Sequence, residues 1–293
     1  MNQQISFCHP SVFRVGTILH AFDRSLVRRV MMLGKPILDV CDLSVVRSGK
    51  QILEDVCLTV NEGEFVGIVG PNGSGKSTFL LSVLGILKAE SGFVEIYGLP
   101  PTSRKLHRKI GWVSQAAANL PKDVRITVRE LVRLGTINSA NMFDWADNGR
   151  RERVDKAIKM TGLKEVENTD IGRLSGGQRQ RAVIARALAS EADFILLDEP
   201  LVGVDRDSRN SLLRLLDRLC HDEGKTILMV SHDLTAIRQT AHRMVFLEGS
   251  VRFDGPTKSF PDFQRLADLR GIQAVHGDKE VYWETTSNHK EEL

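Results

Sequence analysis

"GPNGSGKS", residues Gly70-Pro71-Asn72-Gly73-Ser74-Gly75-Lys76-Ser77, is the stretch that decides the fold of this chain. It fits the pattern G-x-x-x-x-G-K-[ST] of the phosphate-binding loop. The apolar stretch "EFVGIVG" leads into it and the helical stretch "STFLLSVLGIL" follows, as that loop requires; a purely structural glycine turn is the alternative. In this context backbone N–H groups wrap the phosphates, Lys76 reaches the β and γ phosphates, and Ser77 holds Mg²⁺.

Two carboxylates follow a second apolar run, "DFILLDE". Its continuous hydrophobicity is typical of a parallel strand covered on both faces. Asp198 and Glu199 then lie at the carboxyl end of that strand, where open α/β sheets bind ligands. Asp198 suits a Mg²⁺ contact, and Glu199 suits the group that polarises an attacking water. The alternative is an ordinary acidic strand end at the surface.

A histidine ends a third apolar run, "KTILMVSHD". His232 is expected at the same sheet edge, where it can hydrogen-bond a γ-phosphate and a water; taken alone it also fits a surface histidine. Gln115, in "IGWVSQ", is by itself a weaker candidate, because a loop glutamine is usually solvated.

The alternation of apolar runs and helical stretches predicts an α/β fold. We expect a phosphate-loop NTPase (RecA-like) core with a mainly parallel sheet, an N-terminal antiparallel β subdomain and an inserted α-helical signature subdomain. The insertion is placed at about 116–175, where "VRELVRLG" and "RERVDKAIKMTGL" have amphipathic spacing. The expected domains are an extension over 1–35 that is dispensable or misassigned, an ATPase domain over 36–260 and a polar tail over 261–293.

A second glycine-rich stretch, "RLSGGQRQR" at residues 173–181, needs an explanation of its own. Together with the other motifs it resembles the nucleotide-binding subunits of ABC transporters, over roughly Ile37 to Gly255. The motifs occur in that family's order: Walker A loop (Gly70 to Thr78), glutamine loop (Gln115), signature (Leu174 to Gln178), Walker B strand (Phe194 to Glu199), D-loop (Leu201 to Asp205) and switch histidine (His232).

The resemblance implies that the signature acts on the nucleotide of a second copy. Ser175 and the N–H groups of Gly176 and Gly177, followed by Gln178, would form an anion site at a helix start. Two ATP molecules would then lie between two head-to-tail subunits, most simply a homodimer, with Asp205 of the D-loop also at the nucleotide. Gln115, a further Mg²⁺ ligand, and the insertion would pass closure to membrane permease subunits, and an external or periplasmic solute-binding protein would act indirectly.

Two positions depart from the family's pattern. Residues 37–56 contain no aromatic residue to stack on adenine, and Arg47 stands at about the expected position, where its planar guanidinium can stack instead. Leu201 replaces the commoner Ser or Thr after Pro200. The D-loop aspartate is retained, so we expect catalysis to be retained.

Composition excludes several other classes. The formal net charge is +3, but the first thirty residues supply all of it (four Arg and one Asp), so the body is neutral and we expect no nucleic-acid partner. That segment fits a short basic amphipathic helix. Apolar runs are too short to span a bilayer, so any membrane role must come through a partner; the resemblance implies a peripheral place on the cytoplasmic face of the membrane. The four cysteines are scattered and fit reduced thiols.

The cargo is the least constrained expectation. The "GVD" of the D-loop and "NLPKDVRITVRELVRLG" resemble the manganese, zinc and iron importer branch most, with siderophore or haem importers next. About forty residues follow the last core hairpin, too few for a sugar-importer regulatory domain. Two further alternatives are a soluble ABC protein outside transport and a module that senses ATP without hydrolysing it, which Glu199 and His232 disfavour.

Overall fold

The computed structural model describes residues 34–118, 125–137 and 149–261. The chain divides into two compact units, residues 1–258 and 259–293, and only the first three residues of the second unit are described. The expected N-terminal helix, most of the 1–35 extension and the polar tail therefore lie outside the described residues.

Nine strands form two sheets in the described part of the chain. The larger sheet has the order β5-β6-β7-β3-β8-β9, and all its neighbouring pairs are parallel except β8 with β9. The smaller sheet, β2-β1-β4, is antiparallel. The strands are β1 (Pro36–Arg47), β2 (Lys50–Asn61), β3 (Phe65–Val69), β4 (Ser91–Ile96), β5 (Ile110–Val113), β6 (Phe194–Asp198), β7 (Thr226–Val230), β8 (Arg243–Glu248) and β9 (Ser250–Pro256).

Six α-helices pack around these sheets among the described residues. The helix α4 carries the signature at its start, and Gly135, at the end of α2, lies so close to it that an added Cβ would fall 1.8 Å from the Arg186 carbonyl oxygen. The helices are α1 (Lys76–Val83), α2 (Val128–Leu134), α3 (Gly149–Met160), α4 (Gly176–Leu188), α5 (Arg206–His221) and α6 (Leu234–Thr240).

One hydrophobic core joins the two sheets. Leu38 and Leu58 of the antiparallel sheet, Phe79 of α1, and Phe194 and Leu228 of the parallel sheet belong to the same buried cluster. The central strands β3 and β7 are buried along their whole length, as expected for parallel strands covered on both faces. The antiparallel sheet is therefore held directly against the sheet that carries the phosphate-binding loop.

The fold class is as predicted, with differences in its elements. The edge strands β4 and β5 and the short helix α6 escaped the sequence interpretation, because β4 exposes most of its side chains and β5 is only four residues long. The helix predicted over Ser77–Leu87 ends at Val83, since Gly85 has a φ of 69° and leaves the helical region. Among the described residues, every helix is too short or too polar to cross a membrane.

Candidate functional site

Four parallel strands bring the predicted motifs to one edge of the large sheet. The phosphate-binding loop follows β3, Gln115 follows β5, Asp198 and Glu199 end β6, and His232 follows β7. Because these strands are parallel neighbours in the order β5-β6-β7-β3, their carboxyl ends meet there. The strand order therefore brings together residues that lie more than a hundred positions apart in the chain.

The phosphate-binding loop is shaped by its glycines. Gly73 and Gly75 have φ values of 81° and 98°, in the left-handed region that favours glycine. A Cβ on Gly70 would lie 2.2 Å from the Leu247 carbonyl oxygen, so this position tolerates no side chain. The loop ends at the N-terminus of α1, which points its unpaired N–H groups at the loop.

Lys76 lies across this loop. Its Nζ donates hydrogen bonds of 2.8 Å to the carbonyl oxygens of Gly70 and Pro71. Burial lowers the pKa of Lys76, while the charges of Glu199 and Asp198 act in the opposite direction. A positive charge is thus held in the mouth of the loop with two carboxylates nearby.

Asp198 and Ser77 face each other across the site. The Ser77 hydroxyl donates a 3.4 Å hydrogen bond to Asp198 Oδ1. Burial raises the pKa of Asp198, and the neighbouring Glu199 charge raises it further, against weaker opposing effects of Ser77 and Lys76. A hydroxyl oxygen at the start of α1 and a carboxylate oxygen at the end of β6 therefore lie side by side.

Glu199 is tied to the loop that follows β7. Its Oε2 lies 2.9 Å from His232 Nδ1 and accepts a 3.4 Å hydrogen bond from the Ser231 hydroxyl. Its backbone has a φ of 51°, a conformation that is costly for a residue with a side chain and that is found mainly at functional sites. The Glu199 side chain is 10% exposed and that of His232 is 56% exposed, so the carboxylate is shielded while the imidazole faces the cleft.

An ion pair supports this arrangement and was missed from the sequence. Arg209 of α5 donates a 2.7 Å hydrogen bond to Asp233, which also caps α6 by accepting from the Ala236 N–H. The Asp233 N–H in turn donates to Ser231 Oγ at 3.0 Å. An N-cap aspartate before an amphipathic stretch is a signal that could have revealed Asp233; Arg209 has no comparable sequence signal.

Lys76, Glu199 and His232 line one cleft of about 590 Å³, and Asp198 is not part of its lining. Arg47 and Gln115 lie in its wall together with most of the phosphate-binding loop. The sequence interpretation did not single out three of its members: Ser48 and Ile52 of the β1–β2 hairpin, which match no motif, and Val202, which lies inside the D-loop. The complete lining is Arg47, Ser48, Ile52, Asn72, Gly73, Gly75, Lys76, Ser77, Thr78, Gln115, Glu199, Val202 and His232.

The signature is not part of that lining. Ser175 is the N-cap of α4: its hydroxyl accepts from the Gln178 N–H, and the Gln178 side chain accepts from the Ser175 N–H. This capping box fixes the start of α4 and leaves Ser175 and Gly176 exposed. Ser175 to Gln178 thus form a second, separate surface at a helix N-terminus.

The D-loop lies beside the signature. A Cβ on Gly177 would fall 2.4 Å from Ser208 Cβ, so only glycine lets α4 approach the start of α5. Asp205, predicted at the nucleotide, caps α5 by accepting from the Ser208 N–H, and this hydrogen bond lowers the pKa of Asp205. The signature and the D-loop are therefore packed against each other.

The signature arginines have partners within the protein. Arg179 donates to the Leu174 carbonyl oxygen at 3.2 Å, and Arg181 donates to Ser211 Oγ at 2.7 Å. Both side chains thus fasten α4 to its surroundings.

A phosphate-binding loop on a parallel sheet, with a carboxylate pair, a histidine and an inserted helical subdomain, defines the class of ATP-binding cassettes. The family model described as "ABC transporter" matches residues 53–202. The chain belongs to this family and is one of its ATPase cassettes.

Individual relatives agree with this assignment. The zinc uptake system ATP-binding protein ZurA of Listeria monocytogenes is 36% identical over 80% of this chain and 90% of its own length. The manganese transport system ATP-binding protein MntB of Halalkalibacterium halodurans is 35% identical over 75% of this chain and 86% of its own. A solved dimer of the ATP-binding cassette MJ0796 with ADP and phosphate is 31% identical and covers 76% of this chain and 100% of its own, with a TM-score of 0.63.

Proposed function

We propose that this protein is the ATP-hydrolysing subunit of a metal-ion importer and that its cargo is zinc, manganese or iron. The cargo is inferred from the functions of the relatives: ZurA is named for zinc uptake and MntB for manganese transport. These relatives favour import of a metal ion over import of a siderophore or haem and over a role outside transport. Nothing in the cleft needs to touch the cargo, since the cleft is built for phosphate.

Nucleotide binding rests on the loop and the cleft wall. The N–H groups of Gly73 to Ser77 and the N-terminus of α1 would hold the phosphates, with Lys76 at the β and γ positions. Arg47, in the cleft wall, would stack its guanidinium on the adenine. Ser77, Asp198 and Gln115 offer the oxygen ligands that suit Mg²⁺ and would hold it; when bound, the ion would supply positive charge that offsets the charge of the phosphates.

Hydrolysis would depend on Glu199 and His232. Glu199 would accept a proton from the attacking water, because its carboxylate is shielded and already oriented by two hydrogen bonds. An ionised carboxylate only accepts hydrogen bonds, so Nδ1 of His232 carries the proton in that contact. Nε2, on the other side of the ring, would face the γ-phosphate, and it can donate a hydrogen bond there only if it carries a proton as well, as in the imidazolium form.

The signature would act on a partner's nucleotide. Its absence from the lining of its own cleft and its exposure at the start of α4 support this role. Two copies arranged head to tail would place each signature, with Asp205 beside it, against the other copy's phosphates. The dimeric form of the related cassette with ADP and phosphate supports such a pair.

Coupling to transport would occur at the membrane. We assign residues 36–260 to the ATPase domain and the segment around 116–175 to the contact with separate permease subunits on the cytoplasmic face. A solute-binding protein on the other side would deliver the metal without touching this chain.

Uptake by cells tests the cargo. Cells that lack this gene should lose uptake of one radioactive cation among manganese, zinc and iron, and the wild-type gene should restore it. Glu199→Gln should fail to restore it, whereas Glu223→Gln, a matched change at an exposed position, should succeed. Unchanged uptake of all three cations, or a loss confined to a chelated iron complex, would contradict the metal-ion cargo.

A further inference from the structure

Two cysteines that are distant in sequence meet on the antiparallel sheet. Cys41 lies on β1 and Cys57 on β2, and both are partly exposed. Their sulfur atoms and a carboxylate oxygen of Asp42 all lie within 4.8 Å of one another. The sequence interpretation treated the cysteines as scattered thiols, and the pairing of β1 with β2 corrects this for Cys41 and Cys57.

A β-bulge creates the cluster. Val40 pairs with Leu58 and Leu43 pairs with Val56, so Cys41 and Asp42 together oppose the single residue Cys57. All four flanking residues are buried in the core. In a regular strand Cys41 and Asp42 would point to opposite faces; the extra residue puts both on the outer face, with Cys57.

The backbone holds this bulge in place. Asp42 has a φ of 50°, and a Cβ on Gly92 of β4 would fall 2.3 Å from its carbonyl oxygen. The close approach of β4 therefore clamps the bulge from one side while β2 pairs with it on the other. A ligand set on such a frame is ordered before any ion arrives.

The three side chains are already directed at one point. The Cys57 thiol donates to one carboxylate oxygen of Asp42 at 3.3 Å and the Cys41 thiol donates to the other at 3.5 Å. The Asp42 N–H also donates to Cys57 Sγ at 3.1 Å, so the bulge backbone holds this sulfur atom in place. Loss of the two thiol protons would leave a ligand set of three negative charges.

We propose that Cys41, Asp42 and Cys57 form a binding site for a thiophilic divalent cation of the Zn²⁺ or Cd²⁺ type. Two thiolates and a carboxylate, with solvent as the fourth ligand, suit the tetrahedral preference of zinc. Zn–S bonds of about 2.3 Å place two sulfurs roughly 3.8 Å apart, so small side-chain rotations complete the geometry. The exposed position of Asp42 leaves room for the solvent ligand.

A second cluster of possible metal ligands, Cys220, His221 and His242, does not compete with this site. The Phe65 N–H donates to Nδ1 of His242 at 3.1 Å, so the neutral ring carries its proton on Nε2, the atom 3.1 Å from Nε2 of His221. That nitrogen has no lone pair to offer a metal. Cys220, beside it, is buried and its pKa is raised to about 11 by burial, which disfavours its thiolate.

Titration of the reduced full-length protein with Cd²⁺ tests the site. One equivalent should bind with thiolate-to-cadmium charge-transfer absorption, and Zn²⁺ should displace it. The Cys41→Ser/Cys57→Ser variant should lose this absorption. Asp42→Asn should bind at least about tenfold more weakly, because loss of a direct ligand should cost no less than the roughly 10- to 100-fold loss that follows removal of groups that only orient the ligands. Cys8→Ser/Cys220→Ser, which changes the other two cysteines, should bind like the wild type.

Alkylation gives a second readout that does not depend on the serine variants folding. In the wild type, Cd²⁺ should slow maleimide labelling of Cys41 and Cys57, located by mass spectrometry of the peptides. Equal labelling rates with and without Cd²⁺ would overturn the proposal, as would charge-transfer absorption that persists in Cys41→Ser/Cys57→Ser. The site does not depend on the transporter's cargo, so it stands or falls separately from the proposed import function.

Discussion

His232 Nδ1 lies 2.9 Å from Oε2 of Glu199, although 33 residues separate them in the chain. The contact joins the ends of β6 and β7, which are neighbours in the sheet. Since Glu199 is largely shielded and His232 is exposed, the pair links a buried carboxylate to the cleft. This relationship makes the separate roles of the two residues measurable.

Glu199→Gln should keep ATP binding and reduce hydrolysis by roughly 10²–10⁴-fold, because an amide cannot accept the water proton. The glutamine amide can still form hydrogen bonds with Ser231 and His232, so the fold should be unchanged. An ATP turnover assay measures the loss of hydrolysis. Size-exclusion chromatography in the presence of ATP should show a trapped dimer. Brisk hydrolysis by Glu199→Gln, with Glu223→Gln as control, would refute the assignment of the base.

Two amide substitutions of His232 distinguish the roles of its two ring nitrogens. Asn places its amide near the Nδ1 position and Gln near the Nε2 position, so Asn keeps the Glu199 contact and Gln keeps the group that faces phosphate. We expect His232→Gln to retain more ATP turnover than His232→Asn, and His232→Asn to be no better than His232→Ala. The reverse order would mean that His232 serves only to hold Glu199.

Asp198→Asn should stabilise the nucleotide-free protein while abolishing Mg²⁺-dependent hydrolysis. The pKa of Asp198 is raised in the folded state, so its charged form destabilises the fold above that raised pKa. The penalty shrinks as pH falls below the raised pKa and is gone below the ordinary pKa of an aspartate. The Asn variant removes the penalty, and ~1 kcal/mol corresponds to about 2–4 °C in Tm at this size. Thermal unfolding should show a higher Tm at neutral pH that converges with wild type in acid.

If the Tm values of Asp198→Asn and the wild type converge in acid, the gain comes from removing the Asp198 charge and is not a general stabilising effect. Asp193 is exposed, so Asp193→Asn is a matched substitution outside the site. A Tm gain for Asp198→Asn that is equal at all pH values, or a loss at neutral pH, would contradict the repulsion between Asp198 and Glu199.

Ser175→Arg should block ATPase activity and leave ATP affinity of the isolated monomer within about twofold. The residue lies outside the lining of its own cleft, so a bulky cation there would obstruct only a partner. Loss of the cap costs the fold about 1 kcal/mol, which thermal unfolding will register separately. Nucleotide titration at a dilution that prevents dimers measures the affinity, with the exposed Ser91→Arg as control. A large drop in monomer affinity would contradict action in trans.

Arg47→Ala should weaken ATP binding, and Arg47→Phe should restore or exceed the wild-type affinity, because an aromatic ring stacks on adenine without a charge. Stacking of a cation on a ring contributes about 0.5–2 kcal/mol, or roughly a 2- to 30-fold change in Kd. Lys50 pairs with Arg47 across the hairpin but does not line the cleft. Lys50→Ala should therefore have no effect, and equal losses for both alanine variants would point to charge alone.

Sequence reasoning reached the fold class and the sheet edge because both depend on local signals. The loop pattern at Gly70 to Ser77 needs particular residues at consecutive positions, and a buried parallel strand needs an unbroken apolar run, as in β6 and β7. Strand β4, which exposes most of its side chains, lacks such a run. Its recognition depends on pairing with β1, which is a non-local interaction.

The sequence could not reveal the partners of individual side chains, because these contacts are also non-local. The ion pair of Arg209 with Asp233, the Ser231 contact with Glu199 and the approach of Gly177 to Ser208 all join segments whose separation is set by helix packing. Ile52 and Val202 enter the cleft wall because the β1–β2 hairpin and the D-loop converge there. Ile52 belongs to no motif, and the D-loop motif does not single out Val202.

The sequence by itself determined which chemical groups this protein uses: a phosphate-binding loop, a carboxylate pair, a histidine and a second glycine-rich helix start, each recognisable because its residues are adjacent in the chain. The tertiary structure decided how they are distributed, because parallel strand order brings four of these segments to one edge and helix packing keeps "LSGGQ" off the cleft that the same chain forms. It also decided that Cys41 and Cys57 meet, since only the register of β1 with β2 and its bulge set which residues face each other across the sheet.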